Sequence, residues 1–303
     1  MRRTQEGYSP FKDDKPKATE NSLFEASSVL VVKATIKHQK PFGKEHQMNN
    51  TSAPIGVFDS GLGGISVLKE LYALMPDENY IYFGDTKNAP YGGRSDSEIL
   101  TFSTNVINEL VQMGAKAVVI ACNTATSIAA DILRSTKNIP IIGIEPAVKP
   151  AATKYPGGKI LVMATQVTLK KDKFNDLVKR YESTAQITPL PCPGLVELIE
   201  KGEKDSDEIK AYLKNLLMPF SDEHFDGVVL GCTHYPHIKN QIRNTFDYDI
   251  EIFDGAEGTA RETMRRLCEE GLRNTSGLIG TIEFVSSLKS DEEIQIMKNF
   301  YSK

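Results

Sequence analysis

The sequence predicts an α/β fold made of two similar parallel-sheet lobes, related by pseudo-two-fold symmetry and enclosing a cleft. Three observations carry that prediction. From Pro54 onward, short apolar runs alternate with amphipathic stretches, the pattern of strands buried on both faces by crossover helices. One run recurs: AVVIACNTAT at 117–126 has the plan of GVVLGCTHYP at 227–236. Each has a small residue, three apolar positions, another small residue, a cysteine, and a threonine within two positions. A second pair, IGVFDS at 55–60 and ILVMATQ at 160–166, repeats the opening strand. A period this long suggests duplicated lobes rather than a solenoid.

The predicted strands are Ile55–Phe58, Tyr80–Gly84, Ala117–Ala121, Ile141–Ile144, Lys159–Ala164, Ile187–Pro189, Gly227–Gly231, Ile250–Phe253 and Thr281–Val285. Helical periodicity marks Ile65–Met75, Ser97–Met113 and Asp207–Phe220. The proline- and glycine-containing segment Lys149–Gly158 reads as the crossover between lobes. The expected division is an extension over 1–53, a first lobe over 54–148 plus 255–303, and a second lobe over 149–254. The extension is polar and charged and is expected to be disordered. Its apolar burst Val29–Val32 is too short for a signal peptide, and Met48 is an alternative start.

Composition narrows the function. The chain has 303 residues, 40% hydrophobic and 25% charged, with a net charge of −4, so no basic field invites nucleic acid. No apolar run approaches the ~20 residues that span a bilayer. The four cysteines, Cys122, Cys192, Cys232 and Cys268, form no CxxC pair. They point to a reducing, cytoplasmic setting rather than a disulfide framework.

The two repeat cysteines, Cys122 and Cys232, each fall where a buried strand gives way to a helix or turn. A helix N-terminus favours thiolate over thiol, so each is expected to be an activated thiol. The neighbouring Asn123, Thr124 and Thr233 can donate hydrogen bonds or cap the helix. A lone strand-end cysteine usually just packs, but two at matching places in two lobes could face each other across one cleft. Opposed thiols suit inversion of a stereocentre, one removing a proton from carbon and the other delivering one to the opposite face.

The motifs GVFDSGLGG at 56–64, GDTKNAPYGGRS at 84–95, VIACNTAT at 119–126, PCPGLVELIE at 191–200 and LGCTHYP at 230–236 together resemble the cofactor-independent aspartate/glutamate racemase family. The likeness runs from Pro54 to Tyr301. It implies that Cys122 and Cys232 are the paired acid/base residues. It places Asp59 and Ser60 beside the amino acid, Asp59 near its ammonium, with Tyr91 and Gly92 lining the pocket. Asn123, Thr124, Thr126, Thr233 and His234 would hold substrate, and Glu200 would support the histidine side. The implied activity is interconversion of L- and D-glutamate without cofactor or metal, supplying D-glutamate for peptidoglycan, by an enzyme of the cytoplasm that forms a homodimer. The stretch Gly194–Glu197 departs from the family's more apolar, proline-containing version.

Each residue also has a plainer reading. Asp59 before a glycine-rich turn is a common Asx turn or cap. The GLGG turn at 61–64 is an incomplete dinucleotide motif, because Ser66 replaces its last glycine, and is expected to turn its N–H groups toward a substrate carboxylate. Cys232, His234 and His237 have a spacing that suggests zinc, but the chain nearby offers no further cysteine or histidine cluster to complete a ligand set. Arg94 reads as a loop surface residue, and Cys192 and Cys268 as packing residues. Three other functions stay open: racemisation of aspartate or another small acid, a non-catalytic two-lobe binder of an acidic ligand, and a cysteine hydrolase. The last needs a Cys–His–acid triad and leaves Cys122 unexplained.

Overall fold

The computed structural model describes residues 51–201 and 205–302. The extension expected over 1–53 lies outside them except for its last three residues. Thr51 and Ser52 already belong to the fold: their carbonyls accept from Lys116 Nζ and from Asn79 Nδ2, the latter at 2.8 Å.

Among the described residues, nine strands form two parallel sheets. In chain order they are β1 (Ile55–Asp59), β2 (Tyr80–Gly84), β3 (Ala117–Ile120), β4 (Ile141–Gly143), β5 (Lys159–Ala164), β6 (Gln186–Pro191), β7 (Gly227–Gly231), β8 (Glu251–Asp254) and β9 (Ile282–Ser286). The first sheet runs β4-β3-β1-β2-β9 and the second β6-β5-β7-β8. Read from its other edge, the second is β8-β7-β5-β6, the order of the first four strands. The sequence repeat is thus a repeat of topology, with β3 and β7 each beside the opening strand of its sheet.

The helices are α1 (Ile65–Leu74), α2 (Asp96–Gln112), α3 (Asn123–Thr136), α4 (Val148–Lys154), α5 (Gln166–Lys170), α6 (Asp172–Tyr181), α7 (Leu195–Glu200), α8 (Asp207–Leu217), α9 (Lys239–Arg243), α10 (Ala256–Glu269) and α11 (Asp291–Ser302). The segment read as a plain crossover carries α4: Pro150 sits in its first turn, where a missing N–H costs nothing, and Gly157 at φ 77° turns the chain after it.

Strand alternation divides each sheet between two cores. In the first, Ile55, Val57 and Val119 pack with Ile65, Leu68, Ala260 and Met297 of α1, α10 and α11. Phe58, Val118 and Ile120 pack on the other face with Ile99, Ile107, Ala129 and Leu133 of α2 and α3. In the second, Leu161, Met163, Val228 and Leu230 meet Leu195, Ile199, Ile209 and Leu213 of α7 and α8. Ile160, Val162 and Val229 meet Val148, Phe174 and Leu177. Burying such aliphatic or aromatic side chains contributes about 1.5–3 kcal/mol each, which explains why the strands read as unbroken apolar runs. Among the described residues no helix is long and apolar enough to cross a membrane.

Candidate active site

Parallel strands deliver their carboxyl ends to one edge of the sheet, where ligands of such folds bind. Here β1, β3, β5 and β7 end in Asp59-Ser60, Cys122, Thr165 and Cys232, at or just after the last strand residue. One cavity gathers residues from all four strand ends, lined by Ser60, Tyr91, Cys122, Thr165, Cys232 and His234 among others. Gly92, Asn123, Thr124 and Thr233 also face it.

The two thiols share this cavity but not their surroundings. Cys122 is the N-cap of α3; its sulfur accepts from the Ala125 N–H at 3.4 Å and lies 3.6 Å from Ser60 Oγ. The N-terminal position alone would favour thiolate, yet burial dominates and, with the Asp59 carboxylate nearby, pushes this thiol up to about 12. The expectation of a thiol activated by the helix end therefore does not hold for Cys122 in the ligand-free protein. Cys232 precedes a short 3₁₀ turn, Tyr235–Ile238, and its sulfur is 3.8 Å from His234 Nδ1.

His234 links Cys232 to an acid. Its Nε2 is 2.8 Å from Glu200 Oε1 at the end of α7. Burial disfavours the imidazolium, but the sulfur and the carboxylate on its two ring nitrogens outweigh that and hold its pKa well above the usual histidine value. Burial likewise opposes the Glu200 carboxylate, and His234 reverses it, leaving Glu200 below the usual range.

Asp59 is fully buried beneath the cavity rather than on its wall. Burial pushes its carboxyl up against the opposing pull of His234 and its donors. It accepts from the Gly61 N–H at 3.0 Å and from Thr233 Oγ1 at 3.1 Å. The glycine-rich turn thus spends a backbone donor on the protein's own carboxylate, not on an incoming one, which corrects the expectation for 61–64. The Asx-turn reading of Asp59 accounts for its local geometry.

Asn123 Oδ1 is buried and has no hydrogen-bond partner among the described residues. An unpaired buried acceptor costs about 1–3 kcal/mol, so the site is poised for a donor. Thr124 joins Thr165 and Thr168 in a hydroxyl ring, with Oγ1 separations of 3.0, 3.4 and 2.9 Å. Thr126 does not line this cavity; its hydroxyl donates to the Ile120 carbonyl at 3.1 Å and it faces a neighbouring cleft lined by Phe174 and Leu177.

The remaining motif residues sort by contact. His237 turns its Nε2 to the Gly63 carbonyl at 3.2 Å and its ring to Phe300, so it does not join Cys232 and His234. Arg94 donates to the Asn88 carbonyl at 3.2 Å. Cys192 is buried, but Cys268 is exposed, because position 268 falls on the outer side of α10; its reading as a packing residue is corrected. Sequence reasoning missed Thr165, Pro90 and Val196, which also line the cavity. The repeat could have found Thr165, since ILVMATQ places it opposite Ser60 of IGVFDS. Val196 carries no signal beyond helical periodicity.

Residues 62–263 match the model of the Asp/Glu/Hydantoin racemase family. The chain belongs to that family. A glutamate racemase of Clostridium perfringens is 48% identical over 248 residues, covering 82% of this chain and 95% of the relative. Among solved family structures, a glutamate racemase of Bacillus anthracis superposes with a TM-score of 0.74 at 29% identity, covering 84% of this chain and 95% of its own. One from Francisella tularensis, in complex with D-glutamate, gives 0.72 at 29% identity with the same coverage.

Proposed function

We propose that this protein racemises glutamate by two-base proton transfer between Cys122 and Cys232, without cofactor. The observation that carries the reading is that both thiols, brought from the ends of equivalent strands in two sheets, line one cavity. One sulfur, as thiolate, takes the α-proton; the electron pair passes into the α-carboxylate as an enolate-like carbanion. The opposite thiol then gives its proton to the other face, and the roles reverse in the other direction. Neither sulfur has to travel around the carbon.

The neighbours divide the work. His234, held by Glu200, stores or returns the proton of Cys232. Ser60 lies beside Cys122, the substrate ammonium donates to the unpaired Asn123 Oδ1, and its charge favours the carboxylate form of the buried Asp59. Gly92, Thr124, Thr165 and Thr233 offer backbone or hydroxyl donors to the two carboxylates. Loss of water on closure of the lobes, 54–148 with 255–303 against 149–254, would ease proton transfer from carbon. The reading extends to supply of D-glutamate for peptidoglycan in the cytoplasm, by a homodimer.

The deciding experiment follows the circular dichroism of L-glutamate, and of L-aspartate in parallel, with reduced protein in EDTA. Decay with glutamate alone is expected. Decay with aspartate alone would keep the chemistry and change the substrate. No decay with either, from folded and reduced protein, would overturn the reading.

A further inference from the structure

Asp85 immediately follows β2, as the second residue of the motif GDTKNAPYGG, and is itself outside the cavity, only 1% exposed. Its side chain accepts from neutral donors of the loop that follows. Tyr91 Oη donates to Oδ2 at 2.6 Å, and Asn88 Nδ2 reaches both carboxylate oxygens at 3.0 Å. Its backbone is tied to the same loop and to the cavity floor: Asn88 N–H donates to its carbonyl at 3.1 Å, and its own N–H donates to the Asp59 carbonyl at 2.9 Å. Hydrogen bonds to a carboxylate are about twice as strong as neutral ones, so this one buried side chain fixes both ends of the loop.

That loop supplies Pro90, Tyr91 and Gly92 to the cavity wall. With its hydroxyl committed to Asp85, Tyr91 packs its ring between Phe58 and Phe102, at centroid distances of 6.1 and 5.9 Å. Gly92 is thereby set against Thr165 from the other sheet: a Cβ at Gly92 would stand 3.5 Å from Thr165 Cγ2. We propose that Asp85 is a positioning residue for the racemisation, holding the Pro90–Gly92 wall at the distance from Thr165 that fits the substrate. The inference rests on the racemase reading above.

An exchange of charge partners tests it. In Asp85→Asn one oxygen becomes an NH₂ group that faces the NH₂ of Asn88, so the loop loses its anchor while the volume is kept. A displaced wall weakens binding of ground state and transition state alike and shows in KM. Asp85→Asn is expected to raise KM for glutamate at least tenfold, with kcat falling less than fivefold. Tyr91→Phe is expected to raise KM about fivefold and serves if Asp85→Asn does not fold. Combining Asp85→Asn with Asn88→Asp restores a carboxylate–amide pair and a carbonyl acceptor for Tyr91, and is expected to bring KM back within threefold of the parent. A folded Asp85→Asn protein with KM within twofold of the parent, or an exchange pair no better than the single variant, would overturn the proposal. The parent measured alongside separates the two readings: a parent that racemises nothing fails the racemase assignment and this inference with it. An active parent with an indifferent Asp85→Asn fails this inference alone.

Discussion

His234 Nε2 lies 2.8 Å from Glu200 Oε1, joining a 3₁₀ turn that follows one strand to the end of a helix 34 residues earlier. In the proposed mechanism this pair biases proton storage at Cys232. Burial works against the imidazolium, and the carboxylate and sulfur overcome it. In Glu200→Gln the carboxylate contribution is gone, so the His234 pKa should move down. Titration of the His234 ring by ¹⁵N NMR should show the drop, and racemisation should fall roughly tenfold or more, the scale of a weakened acid–base group. An unmoved ring pKa would contradict the coupling.

The same pair sets a pH window for stability. The folded His234 pKa is raised above its unfolded value of about 6.5. Its contribution is therefore fully present below pH ~6.5 and is lost as pH rises through the folded value. The folded Glu200 pKa is lowered below 4.5, so its contribution is present above about 4.5 and is lost as pH falls through the folded value. The stability gap between parent and Glu200→Gln should be widest between about pH 4.5 and 6.5. Urea unfolding at several pH values checks this; a gap that is flat from pH 4 to 9 would refute it.

Removing either thiol should separate exchange from inversion. Cys122→Ala and Cys232→Ala should each lose racemisation by about a thousandfold or more, within the range for loss of a positioned acid or base. The surviving thiol still faces one side of the α-carbon. In D₂O each variant should wash deuterium into one enantiomer, and the two variants should choose opposite enantiomers. Proton NMR of the α-position reads this directly. Racemisation at the parent rate in the double variant would refute the two-thiol mechanism.

The thiols should also differ in reactivity without substrate. Alkylation requires thiolate. With its pKa pushed up to about 12, Cys122 is ionised to about one part in 10⁴ at pH 8, against roughly a quarter for an ordinary thiol. Iodoacetamide followed by peptide mass spectrometry should label the exposed Cys268 first and Cys122 at least a hundredfold more slowly. Cys268→Ser should leave racemisation unchanged. Fast labelling of Cys122 would mean that the ligand-free site is wetter than its burial indicates.

Strand positions were legible because the inner strands β1, β2, β3, β5 and β7 are buried along nearly their whole length, so the apolar run itself marks the element; Tyr80–Gly84, Lys159–Ala164 and Gly227–Gly231 coincide with the predicted spans residue for residue. The repeat carried the common strand order and brought Cys122 and Cys232 into view. The ionisation of Cys122 was not legible, because desolvation depends on which side chains from distant segments close over it. The role of the 61–64 turn was hidden for the same reason. Its donor is spent on Asp59, two residues earlier, and whether Asp59 points back or outward depends on Thr233, which is 174 residues away. Val196 was invisible because a core residue and a cavity-lining residue share one helical period.

The 61–64 turn offers a last test, of space rather than charge. A Cβ on Gly63 would lie 2.4 Å from His234 Nδ1 and 2.6 Å from Thr233 Oγ1. Those distances are well inside van der Waals contact, so one side must move. His234 is held by Glu200 and Thr233 by Asp59, and a shift of either disturbs the groups around Cys232. Misplacement by about 1 Å can cost a hundredfold in rate. Gly63→Ala should therefore lower kcat by about that factor while the fold survives. Gly258→Ala is the control: it lies on the exposed side of α10 with nothing within 4 Å of the added carbon. There alanine should leave kcat unchanged and raise stability by about 0.5–1 kcal/mol. If Gly63→Ala turned over like the parent, the turn would be free to yield, and the tight packing of His234 and Thr233 against it would have no part in catalysis.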